Sequence, residues 1–206
     1  MGDSIDGFPL FPLGIVVLPS EVVPLHIFEE RYKIMIGECL EERREFGIVW
    51  MADDGLRDVG CTAEITELLD RMEDGQMNVL TQGSTPFRLL RRIDDLAYPA
   101  GEIELLADLD EDPDATTAEA ARDRYADLVD RVTDSRPPEE DLADMSAYGM
   151  AATVDFPPAA KQTLLELRSE SARLEAVAEL FGATMKRLDF VERAGERARS
   201  NGKVRS

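Results

Sequence analysis

Prolines interrupt the apolar pattern at the start of the chain. Residues 8–13 and 15–18 are almost entirely apolar, and four prolines fall within the 16 residues that end at Pro24. A proline cannot donate to a sheet ladder and is confined to edges, turns and first residues of strands. We therefore predict two short strands over these runs. Apolar residues at helical spacing then predict a half-buried helix over 28–40.

Further strands follow this helix. Residues 62–69 alternate between apolar and polar positions, which is typical of a half-buried strand. The Asp74-Gly75 pair is a hairpin signal. Short strands at this spacing, with a single helix among them, favour a small closed or nearly closed barrel. The predicted strands in this part of the chain are 46–51, 62–69, 77–81, 86–90 and 101–106.

The second half of the chain has the spacing of helices. An acidic stretch containing Pro113 separates this half from the strands. Two pairs of prolines, at 137–138 and 157–158, divide the half itself. We expect three or four helices packed as a bundle, including 139–154, 162–168 and 171–188. The predicted organisation is a barrel subdomain at 1–107, an acidic linker at 108–117, a helical subdomain at 118–190 and a basic, flexible tail at 191–206.

The formal net charge of −20 argues against several partners. Residues 1–100 alone contain nine basic and nineteen acidic residues, hence −10. Nucleic acids are bound through Lys and Arg that release counterions, and anionic membranes attract the same residues. The charge therefore disfavours both partners. Two interpretations stay open: solubility or adaptation to a salt-rich or high-GC host, and a surface that attracts basic or unfolded segments.

The cellular compartment follows from what the sequence lacks. No apolar run approaches the roughly 18 residues of a membrane span, and residues 1–7 do not resemble a signal peptide. We therefore expect a cytoplasmic protein. The two cysteines, Cys39 and Cys61, are then free buried thiols rather than a disulfide.

Groups for catalysis are scarce. His26 is the only histidine, so the usual histidine-dependent triads and zinc sites have no second member. We expect no enzyme activity, no cofactor and no metal. For His26 we predict a structural role at a strand-to-helix junction, with a hydrogen bond to the backbone and packing on Phe28 or Pro24.

The proline-rich start carries a family resemblance. Residues 8–13, the Leu18-Pro19 turn and the run from Pro24 to Tyr32 are similar to the LON substrate-binding domain, the N-terminal domain of ATP-dependent Lon proteases. Weaker matches at 59–65, 74–89 and 162–174 extend the resemblance over residues 8–185. The family usually has arginine where this chain has Pro86.

The resemblance implies an α+β fold, with a PUA-like small β-barrel, one inserted helix and a C-terminal helical bundle. It implies a stand-alone, non-catalytic module that binds polypeptide segments or a protein partner. The 206 residues contain no phosphate-binding G-x-x-x-x-G-K-[ST] run, so Lon's ATPase activity is not inferred, nor is its peptidase activity. The alternatives are a nucleic-acid-binding PUA-like domain and a small-ligand protein with a carboxylate-lined pocket.

Two groups of residues are candidates for roles. Methionine adapts to irregular partners and tryptophan is enriched at interface centres, so those beside predicted turns are candidates for partner binding, with core packing as the alternative. These are Trp50, Met51, Met72 and Met77. Structural roles are expected for the family-motif residues Pro24, His26, Phe28, Arg31, Tyr32, Gly60 and Gly83. Arg31 should reach the strands, Tyr32 should fill the core, and the oligomeric state, monomer or weak dimer, stays open.

Overall fold

The computed structural model describes residues 4–93, 95–109 and 113–202, with side chains described as far as residue 194. The strands are β1 (Ser4–Leu13), β2 (Val22–Ile27), β3 (Phe46–Ala52), β4 (Gly55–Arg71), β5 (Met77–Ile93) and β6 (Ala100–Leu105). The helices are α1 (Glu30–Glu42), α2 (Ala115–Thr133), α3 (Glu139–Ala143), α4 (Ala147–Ala151), α5 (Pro158–Glu166) and α6 (Glu170–Gly202). A mixed sheet with helices confirms the α+β class.

The described residues form two compact units. One contains all six strands, α1 and Tyr148–Ser169, and the other contains α2, α3 and α6. The structure thus divides the chain differently from the predicted helical subdomain at 118–190. The reason lies in α5, where the Gln162 side chain donates a hydrogen bond of 3.1 Å to the carbonyl of Val59 in β4.

The strand pairings close on themselves. The strands lie in the order β2-β5-β4-β3-β1-β6, and β5 also pairs with β6. Strand β5 can pair with both β2 and β6 because it is 17 residues long. Its residues 77–82 pair with β2, and its residues 87–93 pair with β6. Among the described strands, β1–β3 is the one parallel pairing. The result is a ring of five strands with β2 beside it.

Three differences from the predicted strands have local causes. The strands predicted at 77–81 and 86–90 are one strand, because Pro86 lies at a register shift where a ladder hydrogen bond is already lost. Residues 15–18 form an irregular loop that is buried from residue 16 onward, with the Leu18 N–H bound to the Glu21 carboxylate at 2.9 Å. The strand that follows β1 is instead β2. It lies at the edge of the sheet, where Pro24 is tolerated.

Helix α1 covers the main core. Its buried face packs on inward residues of β2, β4 and β5, and the Tyr32 ring lies 4.2 Å from that of Phe11. The buried α1 residues are Tyr32, Met35, Ile36 and Cys39. A second, smaller cluster surrounds Phe87 and consists of Leu10, Val49, Phe87, Leu89 and Ile103.

The helical unit is organised around α2 and α6. Asp114 caps α2 by accepting the Thr117 N–H at 2.8 Å, and these hydrogen bonds lower the pKa of Asp114. Tyr125 of α2 packs on Phe181 of α6, with ring centroids 5.5 Å apart.

The remaining helices depart from prediction in two places. The helix predicted at 139–154 is two short helices, α3 and α4. At the start of α4 the Ala147 N–H donates to the Glu170 carboxylate at 2.7 Å. The predicted flexible tail has a helical backbone in α6 as far as Gly202, and residues 203–206 lie outside the described residues.

Candidate functional site

The strand-to-helix corner exposes the only imidazole of the chain. The His26 Nδ1 lies 2.8 Å from the Asn78 side-chain oxygen across β2 and β5, and its ring stacks on Phe28 at 5.8 Å. Phe28 is 59% exposed, so it lies outside the core. The packing on Phe28 is as expected, but the hydrogen-bond partner is a side chain rather than the backbone.

Arg31 and Tyr32 have separate environments. Tyr32 is 5% exposed within the core, and burial raises its pKa. The Arg31 guanidinium lies 2.8 Å from Glu29, in the same turn, and 4.6 Å from the centre of the Tyr32 ring. The contacts of Arg31 are therefore local to the start of α1, in place of the predicted reach to the strands.

Gly60 and Gly83 lie where other backbone comes close. A Cβ at Gly60 would be 2.5 Å from the Ile48 carbonyl oxygen, and one at Gly83 would be 2.2 Å from that of Leu18. Because Ser20 N–H also binds the Gly83 carbonyl at 2.8 Å, the loop before β2 lies directly on β5. These glycines permit close approach of the backbone.

The four candidate partner-binding residues do not form one surface. Trp50 and Met51 lie beside the β3–β4 turn, whereas Met72 and Met77 flank the β4–β5 turn, at the other end of the 17-residue strand β4. Met77 is 2% exposed and belongs to the main core, while Met51 and Met72 are exposed. Trp50 stacks with Arg57, whose guanidinium lies 5.2 Å from the ring centre.

Strand β4 contains a feature that the sequence analysis missed. Its pairing with β3 ends at Ala63, which lies opposite Phe46. Residues 64–71, which we call the β4 arm, pair only with β5 among the described residues. Residues 66–74 are all exposed, including Leu68, Leu69 and Met72. The arm therefore has one open edge and unburied apolar side chains.

Two cavities lie between α1 and the β4 arm. One, of about 300 Å³, is lined by residues that include Leu40 of α1 and Ile65 of β4. The other, of about 290 Å³, is lined by residues that include Ile34 and Gly37 of α1 and Arg71 of β4. We call these two cavities, with the arm's edge, the α1–β4 groove. The sequence contains one sign of this groove: two leucines at the end of the strand predicted over 62–69. The structure shows that both leucines are exposed.

Two basic residues at the groove, Lys33 and Arg44, already have acidic or backbone partners. The Lys33 ammonium lies 3.3 Å from the Glu30 carboxylate and donates to the Asp74 carbonyl at 2.9 Å. Arg44 pairs with Glu38 at 3.0 Å and with Glu42 at 3.1 Å. The acidic residues on or beside the arm include Glu64, Glu67, Asp70 and Glu73, all exposed. The surface of the arm is accordingly acidic.

The described residues offer little for catalysis. They contain no group of three or more His, Cys, Asp or Glu side chains placed to hold a metal ion. Burial raises the pKa of the Cys39 thiol to about 11 and also raises that of Cys61, so both are poor nucleophiles at neutral pH. A third cavity, of about 630 Å³ beside α6, is lined by residues of both charges, as are the two cavities of the groove. In the described part of the chain no helix is both long and apolar enough to cross a membrane.

Most of the chain matches a family model. Residues 7–181 match the family model described as the ATP-dependent protease La (LON) substrate-binding domain, and the chain belongs to this family. The resemblance seen at the start of the sequence is thereby confirmed.

Individual relatives are Lon proteases and their N-terminal domains. The chain is 24% identical over 200 residues to the Lon protease of Paraburkholderia phytofirmans, covering 89% of this chain and 25% of that protein. It is 27% identical over 195 residues to that of Anaeromyxobacter dehalogenans, covering 84% of this chain and 22% of that protein. The chain thus spans about a quarter of the length of these relatives.

Solved structures share the fold. The Lon N-terminal domain protein from Xanthomonas campestris has a TM-score of 0.65 and 23% identity, over 83% of this chain and 96% of that one. The N-terminal domain of the Mycobacterium avium complex Lon protease has a TM-score of 0.61 and 18% identity, over 87% of this chain and 98% of that one.

Proposed function

We propose that this protein binds unfolded or extended polypeptide segments and performs no catalysis of its own. The observation that carries the proposal is the exposed run 66–74, in which Leu68, Leu69 and Met72 face solvent beside an open strand edge. Membership of a family named for substrate binding supports the same role. Binding energy would come from burying these apolar side chains against those of the substrate.

The alternatives have less support. A carboxylate-lined pocket is disfavoured because the cavities have linings of mixed charge. A nucleic-acid-binding role is disfavoured by the net charge of −20, although the closed ring of strand pairings supports a PUA-like barrel. A cytoplasmic location is part of the proposal, and the unpaired thiols of Cys39 and Cys61 agree with a reducing compartment.

The test is a direct binding measurement with a permanently unfolded protein. A reduced and carboxymethylated secretory protein, labelled with a fluorophore, is titrated with this protein and its anisotropy is followed. We expect saturable binding to the unfolded form and none to the same protein with its disulfides intact. An unrelated folded acidic protein of similar net charge serves as the control for electrostatic attraction. Equal binding by that control would contradict the proposal.

A further inference from the structure

We propose that the open edge of the β4 arm accepts an extended polypeptide as an additional β-strand, and that it prefers segments in which apolar and basic residues alternate. This inference rests on the proposed function and adds to it the place of binding, the main-chain geometry and the pattern that is recognised.

The main chain of the arm supports strand addition. From Glu64 to Arg71 the strand pairs with β5 on one side, and no strand among those described pairs with its other side. An unpaired edge presents a row of N–H and C=O groups to which another extended chain can bind. The two cavities of the α1–β4 groove lie at the two ends of this arm, one lined in part by Glu64 and Ile65 and the other in part by Arg71.

One face of an added strand would meet apolar side chains. Ile65 and Leu68 lie opposite Thr81 and Val79 of β5. Directly opposite residues share a face of the sheet, and Val79 is fully buried in the cluster that contains α1. Leu68 is therefore on the face towards α1, where it is 40% exposed.

The α1 side of the groove has room for such side chains. Ile34 is 41% exposed, and a Cβ placed at Gly37 would meet no atom within 4 Å. Every second residue of an added strand would point to this space. Apolar side chains of the added strand that point into this space would cover Ile34 and Leu68, which are otherwise partly exposed to solvent.

The opposite face is acidic. Glu67 and Asp70 lie opposite Leu80 and Asn78, on the face away from α1, and both carboxylates are exposed. Basic residues at the intervening positions of an added strand would lie beside these carboxylates. One face of the arm is apolar and the other is acidic, so the preferred partner strand alternates apolar and basic residues.

The same charges select against a second copy of this chain as the occupant. Edge-to-edge pairing of two arms would bring Glu64, Glu67 and Asp70 of each copy together, and like charges directly opposite are destabilising. A basic partner segment has no such repulsion.

The experiment compares two peptides of about ten residues, long enough to span the arm. One alternates valine and lysine, and the other has the same composition with the valines and lysines in separate blocks. Amide hydrogen exchange of the ¹⁵N-labelled protein is measured with each. We expect the alternating peptide to bind more tightly and to slow exchange of the edge-facing amides within 64–71 about tenfold or more. N-methylation of alternate peptide amides should abolish this protection in one of the two possible registers.

Variants of the protein locate the binding face. Glu67→Lys combined with Asp70→Lys should weaken binding of the alternating peptide about tenfold or more. The matched control is Asp53→Lys combined with Asp58→Lys, two exposed positions at the other end of β4 with the same change in charge, which should leave binding unchanged. Gly37→Leu should fill the groove and weaken binding, whereas Gly37→Ala should have a smaller effect. Circular dichroism establishes that each variant is folded before it is compared.

Contrary results separate this inference from the proposed function. If the unfolded protein binds but the arm amides are not protected, or the two peptides bind equally, the inference is wrong and the general function stands. If neither peptide nor unfolded protein binds, the proposed function fails. If sedimentation shows a dimer that protects the arm without peptide, the occupant is a second copy and the inference is overturned.

Discussion

The Lys161 ammonium lies 2.5 Å from the Glu21 carboxylate, with side chains only 11% and 13% exposed. The other oxygen of Glu21 accepts the Leu18 N–H at 2.9 Å. One carboxylate therefore both folds the loop before β2 and attaches α5 to the strand unit. These residues are 140 positions apart in sequence, so the pair links elements that no local pattern connects.

Removing one partner of this pair should destabilise the protein. Lys161→Met leaves the Glu21 carboxylate largely buried without its cation, and we expect a loss of about 3 kcal/mol in the free energy of unfolding. Urea denaturation measures the change. The exposed pair of Asp54 and Arg57 is the control, since Asp54→Asn should cost less than about 1 kcal/mol. Equal losses for the two variants would show that burial of the Lys161 pair has no energetic effect.

Two glycines should respond oppositely to alanine. At Gly83 the new Cβ would be 2.2 Å from the Leu18 carbonyl oxygen, and relieving this overlap should cost about 2 kcal/mol or more. At Gly37, within α1, the space is open, and alanine should stabilise the helix by up to about 1 kcal/mol. Thermal and urea unfolding of both variants test the contrast. A stabilising Gly83→Ala would contradict the close packing of the loop on β5.

The cysteines should make stability fall in alkaline solution. Burial raises the pKa of Cys39 from its ordinary value of 9.0 to about 11. The unfolded chain therefore loses this proton first, and stability present below pH 9 is lost as the pH rises towards 11. The loss should be up to about 2.5 kcal/mol. Urea denaturation at a series of pH values, compared between the wild type and Cys39→Ala, isolates the contribution of Cys39.

The same property predicts slow thiol chemistry. In the folded protein at pH 7.5, Cys39 and Cys61 should react with an aromatic disulfide reagent far more slowly than they do in urea, because both are buried and protonated. Rapid reaction of either thiol under native conditions would contradict its burial.

Tyr98 should contribute through a hydrogen-bond network at the end of α1. Its hydroxyl donates to Glu38 at 2.5 Å and accepts from Arg44 at 2.9 Å. Burial is the main cause that raises the pKa of Tyr98, and the hydrogen bond to Glu38 raises it further. Tyr98→Phe removes both hydrogen bonds and should cost about 1–2 kcal/mol in unfolding experiments. If the cost is no greater than that of an exposed substitution, the network is not stabilising.

The start of the chain shows how much a local pattern can predict. The strand at 8–13 and the helix near 28–40 follow from apolar spacing and proline positions. The neighbouring run 15–18, predicted as a strand, is a loop that is buried only from residue 16 onward. The Leu18 N–H binds the Glu21 side chain, and the turn that follows is attached to β5 by the bond from the Ser20 N–H to the Gly83 carbonyl. A short apolar run does not reveal such partners.

Strand lengths were harder to predict than strand positions. Strands β4 and β5 are each 17 residues long, and each was predicted as a shorter piece or as two pieces. Bulges break the apolar alternation along both strands without ending them. The length of β4 also separates the candidate partner-binding residues. Met51 and Met72 lie at opposite ends of one long strand, although each is next to a turn in the sequence.

The sequence by itself determined the family, the α+β class and the acidic character, because these depend on motifs, composition and local spacing. Only the tertiary structure decided that the pairing of β3 ends at Ala63 and leaves the β4 arm open beside α1. It also decided that α5 belongs with the strands, through Lys161 and Gln162. Both depend on which distant segments meet, and that is settled by the packing of the whole chain rather than by any local pattern.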